Sequence, residues 1–477
     1  MSAIVLLVTV PLLAALASVV WPRRAPDLVA GAVALGLGAA LWLAQAVWRG
    51  GVQLVAPGGW GAPLGIELAA DGLALAFVLL GAGVMAGVVL SARVEMAPAR
   101  AGPRAGFGFW PLAMLLWAAL NVAVMSRDLF NLYVAIELLT LAAVGLVALG
   151  AKPATLVAAM RYMLFALAGS LLYLLGVVLV YAAHGTLDIA LLGARVAAPT
   201  DALALALMTA GLLAKTALFP FHVWLPPAHA GAPAPASALL SGLVPKASFA
   251  MLLRLWFEAM PDRATPGALL LLGGLGAAAV LWGGLRALGQ PRLKLIVAYS
   301  TVAQLGYMFI VFPLSAQVDA WTGAVFQALS HGLAKAAMFL CAGVFILSAG
   351  GDRMADLRGL ARALPMTGFA FALAAVTLTG LPPSGGFTAK YLMMTAAFGA
   401  GQWPWALVLA GGGLMAAAYL YRPVTALFAG ERAAPARAVP RVVQLVPLVL
   451  ALAAIALGIL SAAPFEALQI GRPEGAP

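Results

Sequence analysis

The sequence has 477 residues, of which 64% are hydrophobic and only 9% are charged, and its mean hydropathy is +1.05. This balance excludes a soluble protein and predicts a polytopic membrane protein, because about 20 apolar residues suffice to cross a bilayer as a helix. A single cysteine, Cys341, excludes a disulfide framework and any multi-cysteine metal or iron–sulfur site. The formal net charge of +11 does not indicate nucleic-acid binding, since the arginines lie mostly in short loops, as the positive-inside rule predicts.

Apolar runs separated by charged or Pro/Gly-rich breaks predict an all-α protein with about fourteen membrane spans. No nucleotide-binding motif interrupts them, so we expect no bound cofactor and no metal site. The predicted spans are 3–20, 28–48, 68–90, 110–126, 129–149, 155–183, 201–219, 234–257, 266–285, 293–313, 320–348, 366–382 continuing through 385–399, 403–427 and 442–461.

The loops predict the orientation of the chain in the membrane. Loops after even-numbered spans hold mostly single arginines, whereas loops after odd-numbered spans hold most of the basic clusters. We therefore expect the odd-numbered loops to be cytoplasmic and both termini to lie on the non-cytoplasmic side. The basic residues of the odd-numbered loops are Arg23, Arg24, Arg93, Arg100, Arg104, Lys152, Arg286, Arg292, Lys294, Arg353, Arg358, Arg362, Arg432, Arg437 and Arg441.

Residues 211–256 differ from the surrounding apolar sequence. Lys215 and Lys246 both lie beside or inside apolar runs, where a charged side chain costs about 2.5–3.5 kcal/mol on insertion scales. The prolines between 220 and 235 interrupt a helix, since proline lacks an N–H and clashes with the preceding turn. Irregular backbone at membrane depth is tolerated only where protein or a hydrated cavity covers it. An interrupted helix beside two such lysines predicts an ion path.

The remaining ionisable residues are few at membrane depth. The sequence has only six lysines; Lys152 and Lys294 lie at span edges, and the other four lie within or beside apolar helices. Lysine, unlike arginine, can release its proton, which favours a chemical role for these four. Among the acidic residues, only Glu137 lies mid-span, too few carboxylates for a sodium site within this chain.

Two features of the second half extend this set. His331 and Lys335 are four residues apart and share a helix face. Residues 380–390, GLPPSGGFTAK, form a second proline/glycine interruption that ends at Lys390. Interrupted helices at matching positions of two halves point to a transport site.

Several motifs resemble the antiporter-like subunits of respiratory complex I, Mrp-type cation/proton antiporters and membrane-bound hydrogenases. A lysine followed by PFHxWLPxAH, APxPxSAxLxG and a second lysine is matched here from Lys215 through Lys246. DLFNLYVAIELL, KLIVAYSTVAQLGYMF, SHGLAKAAMFLCAG and GLPPSGGFTAKYL extend the resemblance from about Asp128 to Tyr421.

The resemblance implies a fold and roles for named residues. The family fold has fourteen helices with two inverted five-helix repeats, each with one broken helix. Within a single membrane domain, 1–477, it implies N-terminal helices at 1–108, a first repeat at 109–258, a second at 265–427 and a C-terminal helix and tail at 441–477. The residues implied to translocate protons are Glu137, Lys215, Lys246, His331, Lys335 and Lys390, with His222 and His229 as gating or relay groups.

The parent complex stays open between two alternatives. GGWGAPLGIELAAD at 58–71 resembles the D-type member of Mrp antiporters, while the His222/His229 form of the loop is closer to complex I and hydrogenase members. We therefore expect a proton-translocating subunit of a multisubunit cation/proton antiporter or, alternatively, of a redox-driven complex, with other membrane subunits as partners in a bacterial inner membrane. A membrane scaffold is a third reading, in which Glu137–Lys215 is only a structural ion pair and Lys246 and Lys390 reach the interface.

Overall fold

The computed structural model describes residues 2–195, 198–430 and 439–472. Within these residues the chain is built almost entirely from helices; the predicted arginines Arg432 and Arg437 and the tail at 473–477 lie outside them. The helices are α1 (Ala3–Val20), α2 (Ala25–Gly50), α3 (Gly72–Glu95), α4 (Pro98–Ala101), α5 (Pro103–Met125), α6 (Leu129–Ala148), α7 (Pro153–His184), α8 (Ile189–Gly193), α9 (Asp201–Thr216), α10 (Leu225–Gly231), α11 (Ala234–Gly242), α12 (Val244–Arg254), α13 (Pro266–Leu288), α14 (Leu293–Met308), α15 (Val318–Ala349), α16 (Leu360–Ala363), α17 (Pro365–Thr379), α18 (Gly385–Gly399), α19 (Trp403–Phe428), α20 (Arg441–Ile459) and α21 (Ala462–Gln469).

The predicted membrane crossings are present. Among the described residues, thirteen helical stretches are long and apolar enough to span a bilayer. Three of them, Asp201–Gly231, Ala234–Ala259 and Leu293–Val311, include more than one of the helical segments of the chain. The predicted twelfth crossing is the interrupted pair α17–α18. The only strands in the described part of the chain, β1 (Gln53–Val55) and β2 (Leu68–Ala70), form an antiparallel pair before α3. The all-α membrane fold predicted from composition is therefore confirmed.

The seventh crossing is longer than predicted. It was expected to end at residue 219, but helical structure resumes after a short 3-10 segment and reaches Gly231. Pro226 and Pro227 fall in the first turn of α10, where a missing N–H leaves no intrahelical hydrogen bond unmade. These prolines therefore start a helix, and the interruption is confined to the residues between Thr216 and Phe221.

The breaks in the seventh and twelfth crossings have the same helix cap. Each helix ends on a residue in the left-handed conformation, Ala217 (φ 57°) after α9 and Gly380 (φ 85°) after α17. The next amide donates back five residues, Leu218 to the Leu213 carbonyl and Leu381 to that of Val376, both at 3.1 Å. This Schellman-type cap satisfies carbonyls that a helix end would otherwise leave unpaired in the membrane.

A third interruption was not predicted. The eighth crossing divides at Leu243, whose φ and ψ of −120° and −48° leave the helical region between α11 and α12. The same crossing is completely buried inside the protein. At its break this crossing packs closely against α15. A Cβ atom added at Gly332 of α15 would lie only 2.9 Å from the Gly242 carbonyl oxygen. Absence of a side chain at Gly332 thus lets two central helices approach closely.

Substitution of Gly380 tests the left-handed cap of α17. A Cβ at this position meets the Cδ of Lys390 at 2.7 Å, whereas a Cβ at Gly401, which also has positive φ, meets nothing within 4 Å. We expect Gly380→Ala and Gly401→Ala each to cost about 1–2 kcal/mol through backbone strain, measured by thermal unfolding in detergent. Gly380→Ala should have the larger cost of the two, because its Cβ also displaces the Lys390 side chain; equal unfolding temperatures for the two variants would contradict this.

Candidate functional site

The first candidate group is an ion pair at the break of the seventh crossing, in which Lys215 is buried and the Glu137 side chain is 18% exposed. Lys215 lies in the last turn of α9, with 3% of its side chain exposed. Its ammonium donates to a Glu137 carboxylate oxygen and to the Thr140 hydroxyl oxygen, both at 3.0 Å. The Ser170 hydroxyl on α7 also donates to Glu137. Three helices thus supply partners for two charges that the membrane alone would not accommodate.

The aromatic residues of the broken segment hold Lys215 in place. The Trp224 indole N–H donates to the Ala214 carbonyl at 3.0 Å, next to the lysine in sequence. Its ring stacks on Tyr162 of α7 at a centroid distance of 3.9 Å and an angle of 3°. The tryptophan of the motif therefore ties the interrupted segment to both α9 and α7 and fixes the last turn of α9.

The second group surrounds Lys246 near the break of the eighth crossing. Lys246 is fully buried, and its ammonium donates to the Ser241 carbonyl, which has no intrahelical donor because the residue four positions on, Pro245, lacks an N–H. The Ser241 hydroxyl lies 3.0 Å from the Thr301 hydroxyl on α14. The break therefore provides an acceptor for the lysine and a polar link to the tenth crossing.

His331 and Lys335 extend this group along α15, which is continuous from Val318 to Ala349. The Lys335 ammonium donates to the Val297 carbonyl at 2.9 Å and to the Ser300 hydroxyl oxygen, both on α14. His331 is fully buried, and neither of its ring nitrogens has a hydrogen-bond partner among the described residues. Electrostatic interactions connect Lys246 with both residues, so the structure brings all three together.

The third group lies around Lys390 after the break of the twelfth crossing. Its ammonium donates to the Thr379 carbonyl at 2.8 Å, the last residue of α17. The same nitrogen lies over the Tyr307 ring of α14, 4.5 Å from the centroid, a distance typical of a cation–π interaction. Lys390 is buried with 6% exposed, although it has no carboxylate partner among the described residues.

A pair of glutamines lies between the second and third groups. Gln327 of α15 donates through its amide to the Gln304 side-chain oxygen at 2.8 Å. Gln304 in turn donates to the Leu378 carbonyl at 2.7 Å and approaches the Tyr419 hydroxyl at 3.4 Å. Both amides are buried. Gln304 continues the polar face of α14 beyond Ser300 and reaches the end of α17, and Gln327 joins this face from α15.

The two motif histidines have different surroundings. His229 of α10 is buried and stacks on Phe339 at 5.0 Å, within electrostatic range of Lys246 and Lys335. His222 lies in the 3-10 segment and stacks on Phe219 at 5.5 Å. Its ring also faces Trp282 of α13. The structure therefore places His229 with the central lysines and His222 at the side of the protein.

A buried ion network at the other end of the eighth crossing was missed. Arg254 donates two hydrogen bonds to Asp71 at 2.8 and 2.9 Å and contacts Glu258 at 2.8 Å. Arg127 adds a second cation, 3.2 Å from Glu258. Asp71 and Glu258 lie near predicted span ends, and nothing in the sequence indicates that they share a partner. The network joins α3, α12 and the α5–α6 junction at one face of the membrane.

Neutral polar residues and one lysine were also missed. Ser300 and Gln304, one turn apart on α14, could have been found as a polar stripe in an otherwise apolar span. Lys294, predicted to lie at a span edge, is buried and donates to the Ala232 carbonyl. No group of three His, Cys, Asp or Glu side chains that could hold a metal is found among the described residues.

The comparisons with known proteins agree with this geometry. A family model described as NADH:quinone oxidoreductase/Mrp antiporter, transmembrane, matches residues 126–416. The chain belongs to this family. Its relatives include the N subunit of a NADH-quinone oxidoreductase from Desulforudis audaxviator, 36% identical over 88% of this chain and 85% of the relative. The D subunit of a Na+/H+ antiporter from Alkalihalophilus pseudofirmus is 32% identical over 75% of this chain and 72% of the relative.

A solved structure supports the same family. A chain of the Mrp complex from Dietzia superposes with a TM-score of 0.90 at 25% identity, covering 98% of this chain and 96% of that one. This family member is therefore a multi-pass antiporter-like membrane subunit, of the type found in multisubunit Mrp and complex I assemblies. Both predicted parents, the antiporter and the complex I-like enzyme, fit these comparisons.

Substitution of Asp71 tests the Arg254 network. Burial opposes ionisation, but the Arg254 charge and hydrogen bonds hold the pKa of the Asp71 carboxyl below its ordinary value of 3.8. Since this pKa is lower in the folded chain, the pair stabilises the fold above about pH 3.8, and the contribution is lost as pH falls through the folded-state pKa.

We expect Asp71→Asn to destabilise the protein by about 3–5 kcal/mol at pH 7, because it leaves part of a buried charge network uncompensated. The measurement is thermal unfolding in detergent at pH 7 and below pH 4, where the difference from wild type should shrink. Asp27→Asn is the matched control: its partner Arg93 is also a cation, but the Asp27 side chain is 72% exposed. Equal unfolding temperatures for the two variants would contradict a stabilising network.

Proposed function

We propose that this chain moves protons through the membrane as a subunit of a multisubunit monovalent cation/proton antiporter. The observation that carries the proposal is the Glu137–Lys215 pair, 3.0 Å apart at a helix break. We place any sodium or potassium site in another subunit or at an interface, and the complex in a bacterial inner membrane. The proposed relay consists of Glu137, Lys215, Lys246, His331, Lys335 and Lys390, with His229 beside it.

Helix breaks give this relay a means of changing its charge state. A nearby carboxylate favours the charged ammonium, whereas an ammonium that loses its counter-charge in apolar surroundings releases its proton more readily. Lys215 is at the end of α9, so a small movement at the break changes its distance from Glu137. The released proton passes towards Lys246, with water bridging the lysines of different helices.

The second half of the path runs along α14. Ser300 accepts from Lys335, and the amide pair Gln327–Gln304 follows in the direction of Lys390. Amide and hydroxyl groups order water between charged sites. The glutamines therefore support a continuous route from the central lysines to the lysine after the twelfth-crossing break, and His222 is left to packing or gating.

A complex I-like redox pump is the second candidate. The observation that favours it is the relative from Desulforudis audaxviator, a NADH-quinone oxidoreductase component that is similar over 88% of this chain. The relay chemistry is the same in both cases, and the energy source differs: an existing ion gradient for the antiporter, or electron transfer in other subunits for the pump.

Purification of the tagged complex in mild detergent separates the two parents. For the antiporter we expect small hydrophobic subunits to co-purify, and cation addition to drive proton flux in proteoliposomes. Co-purification of flavin or iron–sulfur proteins, together with no cation-driven flux, would instead establish the redox pump. Mass spectrometry of the purified chains and a trapped pH-sensitive dye give the two readouts.

Substitutions of Lys215 test proton transfer against a structural ion pair. Lys215→Arg retains a cation beside Glu137, but guanidinium does not release a proton at cellular pH. We expect Lys215→Arg and Lys215→Gln both to lower proton flux in proteoliposomes by about a hundredfold, the scale on which acid–base groups act.

The arginine variant also controls for assembly. It should give wild-type yields of complex and a near-wild-type unfolding temperature, because the ion pair is kept. Full proton flux through Lys215→Arg would show that the pair is structural and would overturn the relay.

A further inference from the structure

A cavity of about 480 Å³ opens at the membrane face where the predicted cytoplasmic loops meet. Arg292 and Lys152 are exposed at its rim, and Arg292 pairs with Asp352 at 2.7 Å. Its deeper wall holds Glu95, the last residue of α3, and the buried Lys294 of α14. A polar cavity of this size admits water.

Glu95 is a partly buried acidic residue, and none of the three groups described above includes it. Its Oε1 atom is buried and has no hydrogen-bond partner among the described residues. The position of Gly343 on α15 explains the space around it, since an added Cβ there would approach Glu95 Oε2 at 3.2 Å and the Ala234 Cβ at 2.4 Å. A carboxylate with an unpaired oxygen in a polar cavity can accept a proton.

The charges around Glu95 are mainly positive. Lys294 on α14 and Arg100 on α4 both act on the carboxylate. The positions facing it from α15 and α11 are Gly343 and Ala234, which carry no charge, and Lys152 and the Arg292–Asp352 pair lie at the cavity rim. The Glu95 carboxylate therefore has two cations near it, while its Oε1 atom has no hydrogen-bond partner among the described residues.

Lys294 links this cavity to the interior. Its ammonium donates to the Ala232 carbonyl, in the short connection between α10 and α11. Three residues earlier, His229 lies buried within electrostatic range of Lys294, Lys246 and Lys335. The Nδ1 atom of His229 has no hydrogen-bond partner among the described residues. His229 is thus adjacent in sequence to Ala230 of the cavity lining and within electrostatic range of the central lysines.

We propose that Glu95 and Lys294 form a proton-uptake site that loads the central lysines through His229. This inference rests on the proposed proton-transport function. The Glu95 carboxylate takes a proton from cavity water, forming one O–H bond as the water loses another. His229 accepts that proton at one ring nitrogen and gives the proton of its other nitrogen to a neutral lysine amine. Lys294 is a positioning residue that stabilises the ionised Glu95.

The test is proton flux from the cavity face in proteoliposomes of the intact complex, measured for Glu95→Gln over a range of pH on that face. We expect flux about tenfold below wild type at alkaline pH, the lower range of what an acid–base group contributes. The deficit should shrink as the cavity side is acidified, since a proton-collecting carboxylate matters most when protons are scarce. Asp27→Asn, an exposed carboxylate near the same face, should match wild type throughout.

Two results would overturn the uptake site. One is wild-type flux through Glu95→Gln at every pH; the other is a deficit that stays constant with pH, which indicates structural damage. A second variant tests access: with Cys341 buried, a cationic thiol reagent on Leu347→Cys in the cavity wall should block flux. The same reagent on Leu54→Cys, exposed in β1, should not, and failure to block at Leu347→Cys would count against the cavity as the route.

The Lys215 variants keep this test separate from the proposed function. Loss of flux in Lys215→Arg with normal flux in Glu95→Gln would overturn the uptake site alone. Normal flux in Lys215→Arg would overturn the relay itself, whatever the result at Glu95.

Discussion

The cost of placing an ammonium group in a bilayer governs this structure, and backbone carbonyls at or near helix ends meet much of that cost. Lys390 donates to the last carbonyl of α17, and Lys246 to a carbonyl just before the Leu243 break. Lys215 is the exception, because a carboxylate balances its charge. A carbonyl stabilises an ammonium less than a carboxylate does and accepts no proton. An ammonium held mainly by carbonyls in apolar surroundings therefore gives up its proton more readily than one beside a carboxylate, which suits the proposed relay.

The lysines could be found from the sequence because a charged residue within an apolar run is rare and costs free energy on insertion. Composition alone was enough to predict the helical membrane fold. Interruptions were harder to place. The prolines between 220 and 235 were read as breaks, yet Pro226 and Pro227 begin a helix. The break at Leu243 lies between Gly242 and Pro245, and these two residues were placed inside a continuous span. Glu95 and Arg254 were missed because a charged side chain near a span end can face either water or the protein interior. Which of the two it faces depends on how the helices pack, and the sequence does not show this. Gln304 was missed because a neutral amide stands out little from its apolar neighbours.

The proposed relay from Glu137 to Lys390 has one carboxylate among several cations. Within it, only Glu137 and Lys215 are opposite charges that can be separated; the remaining groups respond to one another through repulsion and hydration. A partner protein that acts near Glu137 could therefore set the state of the whole path without contacting Lys390. The same chain would then work in a gradient-driven antiporter or in a redox-driven pump. The two would differ only in the partner subunit that displaces the helix end at the α9 break.

The Arg254 network has a mechanical consequence for the crossing that contains Lys246. Asp71, Glu258 and Arg127 fix the far end of α12 to α3 and to the α5–α6 junction. A crossing held at that end does not slide as a rigid rod. A displacement of Lys246 would pivot α12 about this anchored end, and the interruption at Leu243 would absorb it where α12 meets α11.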